Sequence, residues 1–350
     1  MKLGIVAGYS PASMSIPMDL IHEAERLGFS SVWTAEAWGS DAVSPAAWIL
    51  AQTEKINVGT AIMQMQGRTP AMTAMTAMTL YSLSGGRFVL GLGPSGPQVI
   101  EGWHGVAYGR PLTRTKEYIS IIRKILERKE RLEHEGFHYQ IPYRGEGSSG
   151  LGKPLKSILH GDPALRIYTA SISPNGMECA GEVSDGVFPV WMNPERFDLF
   201  EESLERGFSK ATGHPSGSKS LDDFEIAPFC TAIMGDDIEK CRLPVKHQMA
   251  LYIGGMGARD KNFYNDYAKR LGYEEAAKKI QDLYLQGQKG EAAAAVPDSL
   301  VDEVALVGPK DRIRDRLQAW KEAGKKKHVG SLLVATGDID VLRVLAEEVL

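Results

Sequence analysis

Short apolar runs alternate along the chain with longer stretches whose apolar positions recur every third or fourth residue. The first pattern marks buried strands and the second amphipathic helices. Runs at 3–7, 31–34, 56–63, 87–92, 166–170, 185–190, 224–234 and 329–335 predict eight strands. Helical stretches at 17–27, 45–53, 70–83, 113–130, 174–183, 194–208 and 309–323 fall between them. Pro17, Pro70 and Pro174 stand at helix starts, where a missing N–H costs nothing, and Gly28 and Gly324 stand where a helix would stop. Eight strands in this rhythm predict an α/β chain folded as a single (β/α)8 TIM barrel over 1–350.

A plain barrel needs about 250 residues, so the surplus is assigned to insertions. Residues 131–164 read as a short hairpin with a glycine-rich loop, and 236–298 as several helices ahead of the last one. Polar 209–223 reads as a surface connection. The repeat AMTAMTAMT at 71–79 places Met72, Met75 and Met78 three apart on one helix. Such a stripe drifts slowly around the helix and serves as an adaptable apolar seam against neighbouring helices or a second subunit.

Composition narrows the class. The chain has 350 residues, 43% apolar and 24% charged, with a formal net charge of −4. That balance gives no basic footprint for nucleic acid or an anionic membrane. Three cysteines without a C-x-x-C spacing indicate neither a disulfide framework nor a metal site. No apolar run is long enough to span a membrane, so a cytoplasmic protein acting on a small molecule is expected.

One motif tempts a different reading. GLGPSG, residues 91–96, follows an apolar strand and spells the G-x-G-x-x-G of a dinucleotide-binding turn. That fingerprint requires a helix, then a second strand ending in an acid about 20 residues on. Here two prolines, Pro94 and Pro97, stiffen the loop, a long helix follows, and Glu117 at the right offset lies on that helix. The better reading is a glycine-rich loop at the carboxyl end of a barrel strand, where backbone approaches a ligand closely.

Several segments together resemble one family. SVWTAEAWGSD (31–41), VGTAIMQMQGRTP (58–70), LSGGRFVLGLGPSGPQVIEGWHG (83–105), RPLTRTKEYI (110–119), LGKPLKSILH (151–160), IYTASISPN (167–175) and ALVGPKDRIRDRLQAWKEAG (305–324) look like the bacterial luciferase-like superfamily. The stretch 83–105 favours its branch that uses the deazaflavin coenzyme F420. The resemblance implies hydride transfer between C5 of F420 and a small organic substrate, with no activation of oxygen. The alternative on the same fold is an FMN-dependent monooxygenase fed by a separate reductase. A flavin-binding carrier without catalysis is a third possibility. Family members are commonly homodimers, and the helix carrying the methionine stripe, beside the helix before it, is the expected contact.

By resemblance, the cofactor ring lies across the carboxyl mouth of the barrel against a bulge in the third strand, with a non-proline cis peptide at Ala61–Ile62. Gln64 follows the bulge and reaches the ring. Gly93, Pro94, Ser95 and Gly96 border the cofactor through backbone amides and one hydroxyl. Ala170, Ser171, Ile172 and Ser173 precede the helix opened by Pro174, and a helix N-terminus with two hydroxyls suits a phosphate; Ser173 also reads as a simple N-cap. Glu36 ends the second strand where related enzymes carry an acid followed by histidine, and here Ala37 follows. Glu36 is therefore expected to hold the cofactor or to relay a proton. Tyr9 and Trp38 read as pocket walls or packing, Arg68 as a loop anchor, and His104 as a residue at a helix end.

Overall fold

The computed structural model describes residues 1–8, 12–212, 218–257 and 259–350. Eight parallel staves run in chain order: β1 (Lys2–Gly8), β2 (Ser31–Thr34), β3 (Asn57–Thr60), β4 (Phe88–Gly93), β5 (Ile167–Ala170), β6 (Gly186–Phe188), β7 in two pieces (Glu225–Ile226 and Phe229–Met234) and β8 (Ser331–Ala335). Each pairs in parallel with its sequence neighbour through β6. β8 pairs with β1. The break in β7 closes the ring: Glu225–Ile226 pairs with β6, and Phe229 onward pairs with β8. The fold is thus the expected (β/α)8 barrel.

The barrel is filled, not hollow. Trp33, Tyr168, Phe188, Ala227 and Leu333 form one buried cluster inside it. The Trp33 and Phe188 rings meet edge to face at 4.9 Å, a favoured aromatic geometry. Glycine makes room for these rings. A Cβ on Gly59 would lie 2.3 Å from the Trp33 ring, and one on Gly91 only 1.7 Å from the Thr60 carbonyl oxygen. At the floor, Glu225 accepts from the Ser331 hydroxyl, from Arg166 at 2.8 Å, from the Tyr168 hydroxyl at 2.9 Å and from Lys2 at 3.3 Å. A larger apolar core lies between staves and helices.

Residues 131–164 carry a hairpin and residues 236–304 carry helices. His134–Glu135 and Gln140–Ile141 pair as an antiparallel hairpin. Its turn sits on the helix Pro111–Glu127, where the Glu117 carboxylate accepts the backbone N–H groups of Phe137, His138 and Tyr139 at 2.8–3.1 Å. Between β7 and the helix Lys310–Lys325 come five helices: Ile238–Gly255, Phe263–Arg270, Glu274–Leu285, Lys289–Ala294 and Asp298–Val304.

Four details differ from the sequence reading. A strand Leu306–Gly308 pairs with the end of β7; three residues are too few to show a period. A final helix, Ile339–Val349, follows β8 with Asp338 as N-cap. The helix expected to stop at Gly324 runs on to Lys325. Gly324 is small for another reason, since a Cβ there would stand 2.6 Å from Met1. Lastly, the methionine stripe is split. Met72 and Met75 are 52% and 54% exposed while Met78 is 3% exposed, because a three-residue step lags the helical turn and rotates Met78 toward the core. Tyr9 and part of the polar connection, 213–217, lie outside the described residues.

Candidate active site at the barrel mouth

Every stave points its carboxyl end to one face, the end on which barrel enzymes carry their chemistry. The third strand is interrupted there. β3 ends at Thr60, the Ala61–Ile62 peptide is cis, and the chain resumes as Met63–Gln64 paired with Leu92 and Gly93 of β4. Ala61, Ile62 and Ala170 pack together on the aromatic cluster that fills the barrel. They form an apolar floor beneath the mouth. The Ile62 side chain lies against Gly93, where a Cβ would approach it to 2.8 Å.

Glu36 holds this floor. Its side chain is 7% exposed. One carboxylate oxygen accepts the Gln64 N–H at 2.7 Å and Arg68 Nη1 at 2.7 Å; the other accepts the Ala42 N–H at 3.0 Å. Glu36 also donates its own N–H to the Ile62 carbonyl at 3.3 Å. The carboxylate is therefore committed to two segments of backbone and a cation. Arg68 is the loop anchor expected; its carbonyl accepts from the Tyr118 hydroxyl at 3.1 Å.

Gln64 joins the remaining loops. Its side-chain amide donates to the Ala37 carbonyl at 3.0 Å and to Ser95 Oγ at 3.1 Å. Its carbonyl oxygen lies 2.6 Å from His104 Nε2. A carbonyl only accepts, so His104 carries a proton on Nε2. Ser95 adopts φ 55°, in the left-handed region, and its carbonyl accepts from the Tyr108 hydroxyl at 3.1 Å. Burial raises the Tyr108 pKa, so the hydroxyl stays protonated and donates. The link from His104 to Gln64 was not visible in the sequence, because it spans forty positions with no motif.

Next around the mouth, beside β4, Ser171, Ile172 and Ser173 follow β5. Ser173 Oγ caps the helix Pro174–Val183 by accepting the Gly176 N–H at 3.1 Å, which leaves its own O–H free to donate. Gly176 is required there: a Cβ would stand 2.0 Å from Ser171 Oγ and 2.8 Å from Ser173 Oγ. Two hydroxyls thus lie over the first turn of a helix whose backbone offers partial positive charge. No carboxylate is part of this donor set, so an anionic phosphate fits it.

The sequence-predicted residues therefore gather at one end of the barrel. Glu36, Ile62, Gln64, Gly93 and Ser95 are linked directly; Ala61 and Ala170 share the floor; Ser171 to Ser173 form the neighbouring stretch of rim after β5; Pro94 and Gly96 flank Ser95. Trp38 is exposed just beyond Glu36. Two cavities are lined by none of these residues. One, of about 420 Å³, opens between the carboxyl ends of β7 and β8 beside Met234, Thr336 and Asp338. The other, of about 710 Å³, lies beside Asp302, Arg312 and Arg316. Among the described residues, no helix is long and apolar enough to cross a membrane.

Comparison with known proteins agrees with this fold. The profile of the luciferase-like monooxygenase family matches residues 5–327. A Mycobacterium tuberculosis protein provisionally named a coenzyme F420-dependent oxidoreductase is 40% identical over 348 residues, covering 99% of this chain and 98% of that one. The structure of the coenzyme F420-dependent tetrahydromethanopterin reductase from Methanopyrus kandleri superposes with a TM-score of 0.77 at 22% identity, covering 99% and 98% of the two chains. The FMN-bound oxygenating constituent of 3,6-diketocamphane monooxygenase from Pseudomonas putida superposes with a TM-score of 0.65 at 21% identity, covering 100% and 98%.

Proposed function

The chain belongs to the luciferase-like monooxygenase family, and from that premise we propose that it is an F420-dependent oxidoreductase of the cytoplasm acting on a small organic substrate. The single observation that carries the cofactor assignment is the 40% identity to a protein named for F420, sustained over 99% of the chain. The site's geometry supports it. When bound, the deazaflavin supplies two-electron hydride chemistry at its C5.

The chain's own residues do the rest. Ala61, Ile62 and Gly93 offer a flat apolar floor for the ring. Gln64 and Ser95 offer polar groups at its edge, held in place by Ala37, His104 and Tyr108. Ser171, Ser173 and the helix N-terminus receive the phosphate. Glu36 is a positioning residue in this reading, since both its oxygens already accept hydrogen bonds. A substrate would enter from the solvent side of the mouth, past Trp38.

Fluorescence titration with F420, FMN and NADPH tests the assignment. F420 should bind most tightly; tighter binding of FMN would overturn it in favour of the monooxygenase reading. We also propose a homodimer through the helices Val43–Gln52 and Pro70–Leu83, which leave Trp48, Met72, Met75 and Leu83 exposed. Exposed apolar side chains of this size on two successive helices support an interaction surface there. A sedimenting mass of 38.3 kDa at micromolar protein would refute the dimer.

A further inference from the structure

The five-helix insertion reaches into the mouth at one point. Its helix Phe263–Arg270 lies over the rim formed after β5 and β6. Tyr267 donates its hydroxyl to the Trp191 carbonyl at 3.1 Å, just beyond β6. Trp191 meets Tyr252 edge-on at 5.8 Å and the tilted Tyr264 ring at 5.6 Å, which seats the insertion on the barrel. At the end of the same helix, Arg270 Nη2 donates to the carbonyl of Ile172, the residue between Ser171 and Ser173.

Arg270 differs from the arginines of this fold that are held by carboxylates. It is half-buried, with its guanidinium 5.2 Å from the centre of the Tyr267 ring. Burial pulls its pKa below the ordinary arginine value, and Tyr267 and Asp266 offset only part of that. Among the described residues no carboxylate lies within ion-pair distance of it, and its hydrogen bond is to the Ile172 carbonyl. Elsewhere, Arg68, Arg166 and Arg242 each meet a carboxylate directly. A partly desolvated cation bonded to the backbone between two serines, where a helix begins, has donors left over for an anion.

We propose that Arg270 binds the phosphate-bearing side chain of the cofactor, so that the insertion, and not the barrel alone, completes the cofactor site. The proposal rests on the F420 reading for the identity of the ligand, but its chemistry requires only a phosphate beside Ser171 and Ser173. Arginine suits the role because its planar donor fork can keep the Ile172 carbonyl and still meet two phosphate oxygens.

The test compares ligands with and without phosphate. Dissociation constants are measured by fluorescence for F420, for FMN and for the deazaflavin riboside that lacks phosphate, using wild type, Arg270→Gln and Arg270→Lys. Loss of a charge-assisted contact should raise the F420 constant roughly ten- to a hundredfold in Arg270→Gln, with Arg270→Lys recovering part of it. The riboside constant should not move. Added salt should weaken F420 binding more in wild type than in Arg270→Gln. An equal loss for F420 and riboside, or no loss for either, would overturn the proposal by making Arg270 a seat for the loop only. If wild type prefers FMN and Arg270→Gln weakens FMN but not riboside, the F420 reading falls and the role of Arg270 stands. If wild type binds no phosphate-bearing ligand, both fall.

Discussion

Replacing Glu36 with glutamine keeps the volume of the side chain and removes its charge. The carboxylate now accepts three hydrogen bonds at 2.7, 2.7 and 3.0 Å. A carboxamide has one acceptor end and one donor end. If its oxygen keeps Gln64 and Arg68, its NH2 group faces the Ala42 N–H, donor against donor. Reversing it sets that NH2 against both other donors. Arg68 then retains only Asp41, 3.8 Å away. Breaking a fully buried pair costs about 3–5 kcal/mol, and Arg68, at 23% exposed, recovers part of that from water, so about 2–4 kcal/mol is expected. With an unfolding entropy near 2 cal/mol/K per residue, that loss lowers Tm by about 3–5 °C. The floor at Ala61 and Ile62 should also shift, raising the F420 dissociation constant while turnover at saturating cofactor stays nearly intact. Calorimetry, fluorescence titration and steady-state kinetics on Glu36→Gln measure all three. An unchanged Tm and affinity would refute the reasoning. Normal affinity with turnover down about 10²–10⁴-fold would instead make Glu36 a proton relay.

Two further outcomes follow from buried carboxylates elsewhere. Glu117→Gln should release the hairpin without unfolding the barrel: amide exchange at Phe137–Tyr139 should speed by roughly ten- to a hundredfold, and unchanged protection would show that the turn is held by other contacts. Burial would raise the Glu225 pKa, but Ser331, Lys2, Arg166 and Tyr168 outweigh it and hold the carboxyl below the ordinary range. A depressed folded pKa contributes stability above the unfolded pKa and loses it as pH falls through the folded one. Urea melts at successively lower pH should therefore show a shallower acid limb for Glu225→Gln than for wild type, and equal slopes would rule Glu225 out of the acid transition.

How much of this was legible in the sequence depends on range. The staves were, because apolar runs bounded by glycine and proline report burial on both faces. The helix Ile339–Val349 went unread, although its Asp338 cap and the apolar Val341, Leu342 and Leu345 mark it. Leu306–Gly308 was not, since its pairing with β7 depends on a stave more than seventy residues away. Gly324 misled for a different reason. Glycine at a helix end and glycine under another chain segment are the same letter, and only the contact with Met1 separates them.

The hexapeptide GLGPSG carries the same lesson. In a dinucleotide-binding turn the glycines clear a path for a pyrophosphate. Here Gly91 and Gly93 are two apart on a strand, so both face the barrel interior. The first makes room for the Thr60 carbonyl and the Phe188 ring, the second for the Ile62 side chain. The spacing arises from the period of a strand meeting a crowded interior.

The polar half of the site was legible as a set of positions but not as a network. Glu36, Gln64 and Ser95 each end a different stave, and family resemblance alone marked them. What connects them is the geometry of the bulge. With the strand broken at Ala61–Ile62, Gln64 is displaced toward β4, and its amide bridges the loops after β2 and β4. The Ala37 carbonyl is the acceptor for Gln64, a task its side chain does not enter. Meanwhile an imidazole reaches the same amide from His104, past Gly67, where a Cβ would stand 3.4 Å from the ring. A histidine is therefore part of the mouth after all, delivered by the fourth strand's loop in place of the second's, with Gly67 lying beside its ring.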